Sequence, residues 1–208
     1  MTVKKAQEKK DEMANILFKL DAIQFGVFKL SSGKASPYYV NLRVIPSFPD
    51  AFREICDFSD QFISSQIGVK NFDRIAGVPL TGIIFASQVA YNLKKPFLYL
   101  RKGVRLRGRE RRVEGVLVTG ERVLLIDDLV TTGLTLKKAA DAVRAEGGVV
   151  TDAVVFLDRE EGAGGQLEKS GIKLHSVLKI SEIANVLYDS GVMDEESLKI
   201  IQKQVKKQ

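Results

Sequence analysis

Residues 123–135 form the part of the sequence that most restricts the fold. Val123 to Ile126 make a short apolar run, which is followed by two acids, Asp127 and Asp128, and then by a Thr/Gly turn that opens a helical pattern. A buried strand that leads through a polar turn into a helix is the repeating unit of α/β proteins. The segment therefore predicts a strand, a ligand-binding turn near the strand's carboxyl end, and a helix.

Short apolar strands and helical patterns alternate through most of the chain. Apolar residues at helical spacing occur before residue 21 and again from about 49 to 63, and residues 26–41 suggest short strands joined by a turn. The further strands are predicted at 74–78, 96–101, 122–127, 149–157 and 174–178, and the further helices at 82–93, 134–146 and 195–208. This alternation predicts an α/β fold with a doubly wound, mostly parallel sheet and flanking helices. No repeat or linker interrupts it, so residues 1–208 are predicted to form a single domain.

Composition and charge limit the possible binding partners of the protein and its expected location in the cell. The formal charge of +6 favours anionic partners, and both phosphorylated metabolites and nucleic acid fit. Residues 101–112 hold seven basic residues and one acid, Glu110. No apolar run approaches the roughly 20 residues of a membrane-spanning helix, and the Lys-rich start lacks a secretory pattern, so a cytoplasmic location is expected. The single cysteine, Cys56, cannot form an internal disulfide and is predicted to act as a small hydrophobic residue.

The turn after the two acids suits a phosphate group. Backbone N–H groups at the start of a helix are unsatisfied, Thr hydroxyls add donors, and Gly133 lets the backbone come close. Asp127 and Asp128 are acceptors for sugar hydroxyls or lie near a metal ion. A purely structural role, in which Asp and Thr cap the helix, explains the segment alone about equally well. The segment has neither the Gly-Lys-Ser/Thr ending of a P-loop nor the G-x-G-x-x-G of a dinucleotide fold.

The stretch from Asp127 to Thr135 resembles the binding motif for 5-phosphoribosyl 1-pyrophosphate (PRPP) in type I phosphoribosyltransferases. Segments from Gly26 to about Ile183 are similar to orotate phosphoribosyltransferase, including the orotate domain of UMP synthase; among them are FKLSSGKASPYYVNLR, GVPLTG and LDREEG. The resemblance implies the type I phosphoribosyltransferase fold with a small N-terminal hood region. Residues 1–45 would then contribute to the base-binding side.

The resemblance also implies roles for individual residues. PRPP is expected to bind the phosphate loop and the turn after the strand at 74–78, through Asp127, Asp128, Leu129, Val130, Thr131, Thr132, Gly133, Leu134, Thr135 and Thr81. Orotate is expected to contact Thr131, Arg159, Tyr38 and Tyr39, because an Arg fork can donate two parallel hydrogen bonds to a carboxylate. The structural alternatives are a surface ion pair between Asp158 and Arg159, and an aromatic pair that belongs to the core.

The basic stretch resembles the family's catalytic loop, which closes over the active site of the neighbouring subunit. Arg101 and Lys102 match that loop directly. Where the family usually has a second lysine and then a histidine, this sequence has Arg105 and Arg107. All four are candidate catalytic residues, since cations stabilise the charge of departing pyrophosphate. Arginine is a poor proton donor, so a general acid is not expected here.

Two other positions, Ser31 and His175, bear on the resemblance to the orotate phosphoribosyltransferase family. Ser31 stands where many relatives have a lysine, and Lys29 or Lys34 are the candidates to compensate. The only histidine, His175, lies in a predicted strand, where a packing role is expected.

The expected function is therefore orotate phosphoribosyltransferase. Such an enzyme transfers the phosphoribosyl group of PRPP to orotate and gives orotidine 5′-monophosphate and pyrophosphate in de novo pyrimidine biosynthesis. Mg²⁺ is the expected cofactor, held mainly by PRPP close to Asp127 and Asp128 rather than by a dedicated protein cage, and a homodimer is implied by the family. The alternatives are a phosphoribosyltransferase for another base, a PRPP-sensing regulator that binds nucleic acid, and a catalytically silent partner subunit.

Overall fold

The computed structural model describes residues 3–29, 33, 35–102 and 112–206. Its helices are α1 (Val3–Lys19), α2 (Pro49–Gln66), α3 (Thr81–Asn92), α4 (Leu134–Ala145), α5 (Ala163–Glu168), α6 (Ile180–Asp189) and α7 (Glu195–Lys206), with 3-10 turns at Leu42–Ser47 and Val69–Asn71. Its strands are β1 (Ile23–Lys29), β2 (Ala35–Val40), β3 (Arg74–Gly77), β4 (Phe97–Leu100), β5 (Val113–Glu114), β6 (Val123–Val130), β7 (Asp152–Asp158) and β8 (Lys173–Lys179). By their contacts these elements form two compact units, Met1–Ile55 with Leu178–Gln208, and Cys56–Val177.

The first unit combines a hairpin with helices. Strands β1 and β2 pair antiparallel, with an irregularity in register between Phe25 and Phe28. Helix α1 buries Met13 and Leu17 completely, which confirms the helix predicted from the apolar spacing. Helix α1 packs on α6, and α6 packs on α7.

The second unit contains the larger sheet, which among the described residues has the strand order β5-β4-β3-β6-β7-β8. Strand β3 pairs in parallel with β4 and with β6, and β6 pairs in parallel with β7. The chain builds outward from β3 to β4 and β5, and then returns to place β6 on the other side of β3. Strand order thus reverses between β3 and β6, and ligands of open α/β sheets bind at the carboxyl ends of the strands at such a point.

Helices cover both faces of this sheet. Alternate residues of a strand point to opposite faces. On one face Ala76, Leu125 and Val155 belong to a buried cluster that includes Leu136 of α4 and Leu167 of α5. On the other face lies α3, because a Cβ added at Gly77 would meet Ile83 Cα at 2.7 Å, and because Phe85 stacks on Phe156 with ring centroids 6.3 Å apart. The predicted α/β architecture is confirmed.

Cys56 and His175 both lie in the interior, in agreement with their predicted packing roles. Cys56 is fully buried, and burial raises the pKa of its thiol to about 12. The His175 ring contacts a carboxylate of β7, with 2.7 Å between His175 Nε2 and Asp152 Oδ1. Among the described helices none is long and apolar enough to span a membrane.

Candidate active site

Three connecting segments meet at the carboxyl ends of β3, β6 and β7. Gly77 is in register with Ile126, and the Val78 N–H donates to the Ile126 carbonyl oxygen at 3.0 Å. One strand further on, the Arg159 N–H donates to the Val130 carbonyl oxygen at 3.1 Å. The turn before α3, the loop between β6 and α4, and the loop after β7 are therefore neighbours along one edge of the sheet.

The loop between β6 and α4 leaves the first turn of α4 open. Gly133, with φ of 81°, precedes the helix, and no side chain caps the helix N-terminus. The N–H groups of the first turn have no acceptor within a helix and carry partial positive charge. They lie beside a cavity of about 110 Å³, lined by Asp127, Leu129, Val130, Thr131, Thr132, Gly133, Leu134, Thr135 and Leu136. This arrangement suits an anion, because most of its donors are backbone N–H groups, and it does not use Asp or Thr as a cap.

The two acids lie inside β6, which corrects the prediction that the strand ends at Asp127. The strand continues to Val130, because Leu129 pairs with Leu157 and Val130 with Asp158. Asp127 is only 7% exposed, and its Oδ1 accepts the Asp128 N–H at 2.9 Å. Burial, and next the charge of Asp128, raise the pKa of the Asp127 carboxyl well above its ordinary value.

The turn before α3 brings a second helix N-terminus to Asp127. Leu80 is the N-cap and provides no side-chain cap, and Thr81 is buried. A Cβ added at Gly82 would lie 2.4 Å from Asp127 Oδ1 and 2.8 Å from Asp127 Cα. Only a glycine therefore lets the first turn of α3 pack directly against the acid. The predicted PRPP residue Thr81 and the phosphate loop are thereby brought together.

Arg159 lies in the loop that follows β7. Asp158 and Arg159 are each 9% exposed, so they do not form the surface ion pair that the sequence left as an alternative. Asp158 Oδ1 accepts the Glu160 N–H at 2.7 Å. Arg159 Nη2 lies 2.9 Å from Glu161 Oε1. Glu161 was not assigned a role from the sequence, although it stands two residues from an arginine that was.

The described part of the basic stretch is the stem of a hairpin between β4 and β5. The Arg101 N–H donates to the Arg112 carbonyl oxygen at 2.9 Å, and Arg101 Nη1 lies 3.1 Å from Glu114 Oε1. Lys102 is exposed. The predicted catalytic residues Arg105 and Arg107 lie outside the described residues, so their roles stay predictions.

The first unit contains the two predicted aromatic contacts of orotate, and they differ in burial. Tyr38 is 1% exposed and belongs to the core. Tyr39 is partly exposed; its ring centroid lies 5.8 Å from that of Phe28, and its hydroxyl accepts a hydrogen bond from Arg43 Nη2 at 3.2 Å. Of the two rings, Tyr39 is the one available to a ligand. Ser31 and Lys34 lie outside the described residues, whereas Lys29, the other candidate to compensate for Ser31, is exposed in β1.

Asp127 and Asp128 are the described carboxylates that would lie near Mg²⁺ bound to PRPP. Where the structure describes side chains, no group of three or more His, Cys, Asp or Glu residues is arranged to hold a metal ion. Asp127 lines the phosphate cavity, and Asp128 follows it in β6. Mg²⁺ commonly combines one or two carboxylates with substrate phosphates and water.

Comparison with known proteins agrees with this site. Residues 48–184 match the family model described as "Phosphoribosyl transferase domain", so the chain belongs to the phosphoribosyltransferases. An orotate phosphoribosyltransferase from Cenarchaeum symbiosum is 40% identical over 183 residues, which cover 88% of this chain and 92% of that protein. Within the class, the chain belongs to the orotate phosphoribosyltransferase family. The family suggested by the sequence motifs is thus confirmed.

Solved structures support the same assignment. The orotate phosphoribosyltransferase from Aeropyrum pernix superposes with a TM-score of 0.72 at 31% identity, covering 86% of this chain and 99% of that one. The UMP synthase of Leishmania donovani superposes with a TM-score of 0.83 at 29% identity, and the match covers 96% of this chain and 42% of that chain. The type I phosphoribosyltransferase fold that the resemblance implied is confirmed.

Proposed function

We propose that this protein transfers the phosphoribosyl group of PRPP to orotate, giving orotidine 5′-monophosphate and pyrophosphate in de novo pyrimidine biosynthesis. The observation that carries the proposal is the uncapped first turn of α4, which opens on a cavity at the strand-order switch point next to two acids. Membership of the orotate phosphoribosyltransferase family supports the choice of base.

The proposed binding mode follows from the charge of each group. The 5-phosphate accepts hydrogen bonds from the N–H and hydroxyl groups of residues 131–135, and the ribose hydroxyls donate to Asp127 and Asp128. Pyrophosphate lies against the turn before α3, whose first N–H groups are also unpaired within the helix. The orotate carboxylate pairs with Arg159, and a contact between the base and Tyr39 stays a prediction from the sequence.

Catalysis in this proposal comes from positioning and charge rather than from a covalent nucleophile. Breaking the bond at the anomeric carbon gives an oxocarbenium-like transition state while negative charge grows on pyrophosphate. Arg101, Lys102, Arg105 and Arg107 would supply positive charge to the leaving group. Mg²⁺ bound to PRPP would neutralise part of the same charge when present.

The homodimer is part of the proposal. Helix α3 and the turn before it expose three large apolar residues, Leu80, Ile84 and Tyr91, on the second unit. Leu80, Ile84 and Tyr91 are separated by four and seven residues, which places them along one side of a helix. A second copy of the chain would remove them from water. Light scattering should give twice the chain mass, and Tyr91→Lys should shift it toward the monomer.

The decisive experiment is orotate consumption, followed by ultraviolet absorbance with PRPP and Mg²⁺ beside adenine, hypoxanthine and uracil controls. Loss of orotate alone is the expected result. Turnover of another base would keep the phosphoribosyltransferase assignment and refute the base. Binding of PRPP without turnover of any base would favour a PRPP-sensing regulator or a silent subunit instead. A cytoplasmic location stays a prediction, which fractionation of the source cells would test.

A further inference from the structure

The loop after β7 holds a carboxylate against the arginine that we assign to the substrate. Arg159 Nη2 and Glu161 Oε1 are 2.9 Å apart, and the two side chains are only 10% and 19% exposed. Ionic interactions are weakly screened where side chains are withdrawn from water. The Glu161 charge is therefore felt strongly at the guanidinium.

The loop itself produces this pairing. Asp158 Oδ1 accepts the Glu160 N–H at 2.7 Å, and Glu160 has a φ of 55°, a conformation that non-glycine residues rarely adopt. This tight turn brings Glu161 back toward Arg159, while the hydrogen bond from the Arg159 N–H to Val130 fixes Arg159 beside the phosphate loop. The loop's backbone thus places the Glu161 carboxylate beside the Arg159 guanidinium in a setting that is mostly withdrawn from water.

We propose that Glu161 competes with the substrate's carboxylate for Arg159 and thereby limits the affinity for orotate. The inference rests on the proposed function, in which Arg159 receives the carboxylate of orotate. Two carboxylates around one guanidinium repel each other, so Glu161 reduces the affinity that the substrate gains from its charge. A neutral pyrimidine carries no carboxylate and is not affected. Since the reaction leaves that carboxylate unchanged, Glu161 weakens the binding of orotidine 5′-monophosphate in the same way and favours its release.

Calorimetric titration of the full chain with orotate, orotidine 5′-monophosphate and uracil tests this competition. Glu161→Gln keeps the size of the side chain and an acceptor oxygen but removes the charge. We expect it to bind orotate and the product about tenfold more tightly than the wild-type protein does, with uracil unchanged. Glu168→Gln is the matched control, because it removes the same charge from an exposed position in α5, and its affinities should stay within about twofold.

Unchanged or weaker orotate binding by Glu161→Gln would overturn the inference, and weaker binding would mean that Glu161 orients Arg159 instead. If Glu161→Gln does not fold, Glu161→Asp withdraws the carboxylate by one methylene and should also tighten orotate binding. Arg159→Ala distinguishes failure of the competition from failure of the proposed function. If it binds orotate as tightly as the wild-type protein, Arg159 is not the carboxylate site and the competition fails with it, whereas failure of the wild-type protein to turn over orotate refutes the proposed function.

Discussion

Replacing Gly82 with alanine should damage the candidate site more than the fold. A Cβ at this position would lie 2.4 Å from Asp127 Oδ1 and 2.8 Å from Asp127 Cα, whereas ordinary contacts begin at 3.4 Å. Because interiors are close-packed, α3 and β6 must then separate by roughly 0.6 to 1 Å. Overpacking of this kind costs about 1 to 3 kcal/mol, and the better helix propensity of alanine offsets about 1 kcal/mol. The net loss of stability should be at most about 2 kcal/mol.

The effect on turnover should be larger, because a misplacement of about 1 Å at a reacting centre costs about 100-fold in rate. The assay is kcat/KM for PRPP in the orotate reaction, with urea unfolding measured on the same preparations. Gly148→Ala is the control: its Cβ would lie 2.7 Å from Val143 Cγ1, beyond the carboxyl end of α4 and away from the site. That variant should lose stability but keep its kcat/KM. A Gly82→Ala enzyme within about threefold of wild type would refute the idea that Gly82 sets the position of Asp127.

Three further outcomes are expected. Burial raises the pKa of Asp60 to about 6 from 3.8, so the stability contributed by its protonated form is complete below about pH 4 and is lost as pH rises through about 6. Asp60→Asn should remove that loss; about 1.4 kcal/mol of it falls between pH 5 and pH 8 before solvent screening and about 1 kcal/mol or less after it, as measured by urea unfolding at those two pH values. Gly165→Ala, in α5 with no atom within 4 Å of the added Cβ, should raise the unfolding free energy by about 0.5 to 1 kcal/mol. Arg101→Ala or Lys102→Ala should lower kcat by about 100-fold while the orotate KM changes little, and an unchanged kcat would remove the loop from the mechanism.

The sequence predicted the parts of the fold whose pattern is local. The strand at Arg74–Gly77 and the helix at Leu134–Ala145 agree with prediction to within one residue, because their apolar spacing and flanking turn residues act over a few positions. The turn that opens α4 was predicted for the same reason, since a Thr/Gly sequence between a strand and a helix acts locally, whereas phosphate binding by this turn stays a prediction.

Features that depend on distant neighbours were less predictable. Strand β6 extends past both acids to Val130 because it pairs with β7 over that length. The apolar pattern of residues 123–127 alone does not indicate this pairing. Helix α6 was missed, although Ile180, Ile183, Ala184 and Leu187 are all buried at helical spacing. Tyr38 is buried and Tyr39 is partly exposed because they lie on opposite faces of β2. The sequence shows that the two side chains alternate, but it does not show which face of the strand meets the core.

Two acids at the edge of a phosphate site present an electrostatic conflict, because PRPP carries several negative charges of its own. The two carboxyl groups lie in different environments, which reduces this repulsion. Asp127 is buried against the amino end of α3, and Asp128 is partly exposed. Burial and the neighbouring charge raise the pKa of Asp127, so this carboxyl holds a proton more readily than an exposed carboxyl does. The uncapped amino ends of α3 and α4 add partial positive charge on either side. The site can therefore keep two acceptors for sugar hydroxyls without repelling the phosphates that flank the sugar.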